Sequence, residues 1–181
     1  REGSSSEAKL VRQHLYQKKI NLKIIKWKGK KPKSNIQSLA RKKRYEILFT
    51  ECKRLNIQKV VTAHHQDDIY ETFFSRLLRG SGTEGLTSFK DVEKKFIFKG
   101  CPITVSRPLL DLNKQDLIYI SKKVFDFFID DPSNEIEIFQ RVRLRKLITG
   151  LKNQGLDFKK LNLTLNNLAS SNKAINEIVK R

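Results

Sequence analysis

The 181-residue sequence predicts an α/β fold built on a parallel sheet and followed by a helical C-terminal segment. Three observations carry this. Val60-Val61 form a short apolar run without alternation, as a strand covered on both faces reads in a parallel sheet. From Ile69 the period changes. Ile69, Phe73 and Leu77 are spaced by four with Phe74 and Leu78 beside them, leaving Glu71, Ser75 and Arg79 on the other side of a helix. Between the two lies a polar knot, His64-His65-Gln66-Asp67-Asp68, where strand gives way to helix. In open α/β sheets, ligands bind at the carboxyl ends of strands and against helix N-termini.

The remaining elements follow in order. Ser4 and Glu7 read as a helix start, and Ala8, Val11 and Leu15 give that helix one apolar stripe to Lys19. Ile20 to Trp27 alternates and reads as a strand. Lys28 to Lys33 is a basic loop, either a solvated turn or an RNA contact. A helix from Ser34 or Asn35 to Leu55 would turn Tyr45, Leu48, Cys52 and Leu55 inward. Arg41 and Arg44 stand near its start, where the helix dipole disfavours cations, which points to an anion there unless Glu46 and Glu51 balance them.

Gly80 to Gly85 is a turn that either exposes backbone amides to a phosphate or simply stops the helix. Lys90 to Lys99 reads as a loop or ragged hairpin, and Ile103 to Val105 as a strand ending at Arg107-Pro108. Asn113 caps a helix with Leu117, Ile120 and Val124 inside. Asp131-Pro132-Ser133-Asn134 stops the apolar run Phe125 to Ile129 and opens a helix with Leu144, Leu147, Ile148 and Leu151 inward. Arg141 and Arg145 share another face of that helix. Phe158, Leu161, Leu165 and Leu168 predict one more helix, and Ala174 to Val179 a last short one.

Charge narrows the partners. The net charge is +19, of which residues 1–60 hold +14. Such a field attracts polyanions, so nucleic acid is favoured over acidic proteins, although an AT-rich coding bias toward Lys, Ile and Asn would supply part of it. Cys52 and Cys101 are far apart without a C-x-x-C, which fits a reducing cytoplasm and argues against a zinc ribbon. There is no apolar run of membrane-spanning length and no signal-peptide pattern at the start.

The polar knot admits plain readings. Asp68 with Glu71 fits a capping box, and His64 fits a hydrogen-bonded strand end. His64, His65, Asp67 and Asp68 are also metal-ligand types, as a phosphoesterase would use, but neighbours on a strand point to opposite faces and do not readily share one ion.

Thr62 to Gly82 resembles the HHxDDxxET…RLLRGSG signature of the tRNA(Ile)-lysidine synthetases, within the N-type ATP pyrophosphatase superfamily. Three further stretches resemble the same family in the same order. They are Ala40-Arg41-Lys42-Lys43-Arg44-Tyr45 (ARxxRY), Arg107-Pro108-Leu109-Leu110 (RPLL) and Asp131 to Asn134 followed by Arg141, Arg143 and Arg145 (DPSN…RxRxR). Val142 departs from the polar residue common in the last segment.

The resemblance implies a doubly wound, Rossmann-like parallel sheet of the adenine nucleotide alpha hydrolase type. Residues 1–130 would be a truncated nucleotide-binding domain, and 131–181 a helical linker with the start of a second helical domain. It also places an SGGxDS phosphate loop before Arg1, so these residues alone, which contain no methionine, are expected to be a piece without activity.

The implied reaction ligates lysine to C2 of the wobble cytidine in the CAU anticodon of tRNA(Ile), through an adenylated intermediate, with ATP and Mg2+ as cofactors. The implied partners are that tRNA and free L-lysine, with a homodimer left open, no membrane, and a cytoplasmic location. The family's motifs put His64, Asp68, Glu71 and Arg44 in catalysis, and Arg41, Arg44 and His64 on the nucleotide. They put Asp68, Glu71, Arg107, Arg141 and Arg145 on lysine or RNA, with no metal-ligating side chain. The competing readings are a tRNA thiolase of the same superfamily and a non-catalytic RNA-binding module.

Overall fold

The computed structural model describes residues 4–27, 29, 36–129 and 140–179. The element order is α1 (Ser4–Gln17), α2 (Ile36–Arg54), β1 (Lys59–Val61), α3 (Gln66–Leu77), α4 (Thr83–Thr87), β2 (Glu93–Phe98), β3 (Cys101–Ser106), α5 (Lys114–Phe125), α6 (Gln140–Asn153) and α7 (Phe158–Val179). The Asp131 to Asn134 segment and all of the basic loop but Gly29 lie outside the described residues. The chain gathers into two compact units. The first holds Arg1–Thr62, Glu93–Ser106 and Leu117–Ile129, and the second holds the rest.

The first unit carries a three-stranded mixed sheet in the order β1-β3-β2. β1 runs parallel to β3 with Val60 opposite Val105, and the ladder continues through the Thr62 amide onto the Ser106 carbonyl at 2.9 Å. β2 and β3 are antiparallel, with Phe98 opposite Cys101. The two residues between them, Lys99 and Gly100, both have positive φ (48° and 79°). That is the twist a two-residue hairpin needs, so residues 93–106 form a regular hairpin, where 90–99 read as a loop or a ragged one.

Ile103, Val105 and Val60 pack with Phe49 and Cys52 from α2, and Phe96, Phe98, Tyr45 and Leu48 close the margin. Among the described residues one face of β1 is covered: Val60 is buried and Val61 is 64% exposed. The expectation of a run buried on both faces therefore fails here, because side chains alternate and α2 covers one side. Residues 20–27 carry no strand among the described residues, although their alternation predicted one. A strand exists only where a neighbour takes its backbone hydrogen bonds. Helix α5 buries no residue, so the inward placing of Ile120 and Val124 is also overturned; they are 45% and 51% exposed.

The second unit is helical. Ile69, Tyr70, Phe73 and Phe74 of α3 pack with Leu144 and Ile148 of α6 and with Leu161 and Leu165 of α7. Leu77 and Leu78, expected inside, are exposed, because the apolar face ends where α3 runs out into the Gly80 turn. That turn is a helix stop. Gly80 has φ 68°, and the Ser81 amide returns to the Arg76 carbonyl at 3.1 Å.

Arg76 donates from Nη1 to the Gly85 carbonyl and to Ser88 Oγ, fixing the far side of the loop. Between α6 and α7, Gly155 (φ 97°) ends one helix, with the Leu156 amide bonded to the Leu151 carbonyl at 2.9 Å. Asp157 then starts the next helix by accepting the Lys159 amide at 2.7 Å. α7 is one continuous helix of 22 residues, so the separate short helix from Ala174 is not formed.

Candidate functional site

The site is built on the first turns of α3. Three residues separate the end of β1 from His65, which occupies the cap position in extended conformation (φ −129°, ψ −179°). The Asp68 carboxylate reaches back and accepts the His65 amide at 3.0 Å, while the Gln66 amide is taken by the Leu112 carbonyl at 2.9 Å. Two orphan donors of the helix start are thereby satisfied. The expected capping box is shifted by one turn: Asp68 closes on His65, and Glu71 does not close on Asp68.

Glu71 does something else. It stands opposite the apolar stripe of α3, as periodicity predicts, yet its side chain is 3% exposed. α6 explains this. Arg145 donates from Nε to Glu71 Oε1 at 2.5 Å, and Arg141 brings its Nε to 3.5 Å from Oε2. Arg141 Nη2 also stands 3.9 Å from Asp68 Oδ1, so one guanidinium spans both acids. The spacing of three on α3 puts the carboxylates on one face, and the spacing of four on α6 puts the two arginines on the opposing one. Glu71 Oε2 lacks a hydrogen bond of good geometry and so retains accepting capacity.

His65 stands beside the pair. Its Nε2 lies 3.7 Å from Asp68 Oδ2 and its Nδ1 4.0 Å from Asp67 Oδ2, both beyond hydrogen-bond reach. A cavity of about 440 Å³ opens here, lined among others by His65, Asp67, Glu71, Arg145, Lys114 and Lys152. Tyr70, at its wall, stacks on Phe158 with centroids 4.6 Å apart and accepts from Asn162 Nδ2 at 2.8 Å. Burial, only partly opposed by that hydrogen bond, pushes its phenol up to about 12. Among the described residues, no group of three or more His, Cys, Asp or Glu side chains is placed to hold a metal ion.

His64 is half-buried and meets the Phe89 ring edge-on, with centroids 5.5 Å apart at 84°. Arg107, expected to meet RNA, is 5% exposed, with its guanidinium 4.7 Å from the centre of the same ring. Phe89 was not singled out in the sequence. It lies in an irregular stretch where no period marks it, so nothing local signalled its part. Arg41 and Arg44 belong to α2 in the first unit. Arg41 lies over Tyr45 at 5.2 Å. The acids expected to balance them are engaged elsewhere: Glu46 with Lys43 at 2.8 Å, and Glu51 with Lys23 and Arg54.

The chain thus has the parallel strand pair of an α/β fold, and the first turns of α3 carry two carboxylates faced by two arginines of α6. Residues 1–151 match the profile of the PP-loop domain, and the chain belongs to that family.

Among similar proteins, the tRNA(Ile)-lysidine synthase of Bradyrhizobium diazoefficiens is 34% identical over 172 residues, covering 95% of this chain and 46% of the relative. That of Rhodopseudomonas palustris is 36% identical over 159 residues, covering 87% and 44%. That of Orientia tsutsugamushi is 36% identical over 151 residues, covering 83% and 33%. The chain thus spans about half or less of these relatives. No helix among the described residues is long and apolar enough to cross a membrane.

Proposed function

We propose that the chain is the PP-loop part of a tRNA(Ile)-lysidine synthase, with a doubly wound nucleotide-binding domain to about residue 130 and a helical part beyond it. The observation that supports this most is the acid pair Asp68–Glu71 under the two arginines of α6. The reaction needs two things from it: a place for a substrate ammonium, and an acceptor for the proton that the amine must lose. An ammonium entering beside Glu71 takes over hydrogen bonds now held by a guanidinium.

In the proposed sequence the C2 oxygen of the wobble cytidine attacks the α-phosphorus of ATP and pyrophosphate leaves. The ε-amine nitrogen of lysine then bonds to C2, the C2–O bond breaks, and AMP carries the oxygen away. Asp68 or Glu71 receives the proton. His64, Arg41 and Arg44 are assigned to the phosphates, where positive charge stabilises the transition state. Arg141 and Arg145 are assigned to RNA or lysine, and Arg107, being buried, to support. Mg2+ is proposed to arrive on the nucleotide's phosphates.

The test is transfer of labelled lysine to tRNA carrying a CAU anticodon, with the full-length protein and ATP. Label in the wobble nucleoside, lost in Glu71→Gln, is expected. Incorporation from a sulfur donor in place of lysine would establish a thiolase instead, and binding of tRNA with no transfer from either would leave an RNA-binding module.

A further inference from the structure

We propose that Phe89 is a positioning residue that sets the orientation of the His64 imidazole and is itself held by Arg107. The proposal rests on the reading of His64 as a group that meets the nucleotide. Phe89 is 9% exposed and belongs to the core of the second unit, so its ring has one place to be. The His64 ring stands perpendicular to it at 5.5 Å, the edge-to-face arrangement that aromatic quadrupoles favour.

Arg107 fixes the other side of the account. Its amide donates to the Val92 carbonyl at 2.8 Å, its Nη1 to the Asp91 carbonyl at 3.3 Å, and its guanidinium lies 4.7 Å from the Phe89 centroid. Three points on the segment Phe89–Val92 are thus tied to one arginine. Its Nε is buried without a hydrogen-bond partner, a cost a purely structural arginine has no reason to carry unless the ring contact offsets it. The contact is favourable in kind as well: a guanidinium over an aromatic face is attracted by the ring quadrupole, so it holds the ring as the ring holds it. Arg107 thereby acts on the site without touching a ligand, which accounts for its burial.

The experiment uses the three histidines as reporters, since His14, His64 and His65 are few enough to assign in a proton–nitrogen spectrum. Phe89→Leu should move the ring-proton resonances of His64 by removing the ring current, and Phe89→Tyr should restore them. In lysine transfer, Phe89→Leu should lower kcat about tenfold to a hundredfold, as misplacement of a reacting group does, with KM for tRNA unchanged, and Phe89→Tyr should recover it. Phe89→Met, which keeps apolar volume without a ring, serves if the leucine variant does not fold. An unmoved His64 resonance in a folded variant overturns the proposal, as does a fall in kcat that Tyr fails to rescue. If wild-type protein transfers no lysine, the functional reading fails, while an unmoved His64 resonance still overturns the Phe89 contact by itself.

Discussion

Arg145 and Glu71 meet Nε to Oε1 at 2.5 Å across 74 residues of sequence, with the carboxylate 3% exposed and the arginine 36% exposed. The burial is lopsided, and so the cost of breaking the pair should be. Arg145→Met leaves a buried carboxylate that, among the described residues, keeps Arg141 at 3.5 Å. Glu71→Gln leaves a guanidinium that can turn to water. Arg145→Met is therefore expected to cost about 2 kcal/mol, below the ~3–5 kcal/mol of a fully buried pair, and Glu71→Gln about half of that. Urea denaturation measures both, and a larger loss for Glu71→Gln would contradict the lopsided burial.

Two glycines make opposite predictions. Gly155 has φ 97° and Gly150 lies inside α6, and a Cβ added at either meets nothing within 4 Å. Only backbone conformation is then at stake. Gly155→Ala should destabilise by roughly 1–2 kcal/mol through left-handed strain. Gly150→Ala should stabilise by roughly 0.5–1 kcal/mol through helix propensity. Thermal melts of the two variants check the signs.

Tyr70 gives the protein an alkaline limit. Its phenol is raised from 10 to about 12 in the folded chain, first by burial. The unfolded chain releases that proton earlier. The stability linked to Tyr70 is therefore complete below about pH 10 and falls as pH climbs towards 12. A spectrophotometric titration should find one of the four tyrosines ionising only near pH 12, and Tyr70→Phe should remove that late step. Its persistence in the variant would assign it elsewhere.

If the excess positive charge serves RNA, binding should be strongly salt-dependent. For Z neutralised phosphates, log affinity falls against log salt with a slope of about −0.7Z to −0.9Z. Charge reversal in residues 1–60, which hold +14 of the +19, should flatten that slope more than reversal elsewhere. Affinity indifferent to salt would leave the charge as coding bias.

What the sequence made legible follows from how far each signal reaches. The stop at Gly80, the start at Asn113 and the span of α2 depend on neighbours in the chain, and they were readable. Asn113 Oδ1 indeed accepts the Asp116 amide at 2.9 Å. The burial of Glu71 was not readable, because helical period assigns a face but cannot say what stands opposite; α6, 74 residues on, covers that polar face. Phe49 was missed in α2 for the same reason: its burial is set by β3 and by Phe96 and Phe98, with ring centroids 5.6 and 5.7 Å away. The link from Phe89 to His64 and Arg107 joins three separate stretches and has no local mark at all.

The two halves of α3's work sit on adjoining residues. Tyr70 anchors the core at 1% exposure, and Glu71 carries the site's charge beside it. Amide hydrogens in this stretch should exchange with solvent only when the whole second unit opens, among the slowest in the chain. A ligand arriving at Asp68 and Glu71 would then meet a backbone already fixed, so that the side chains of α6 rearrange while its binding shows a small loss of backbone entropy.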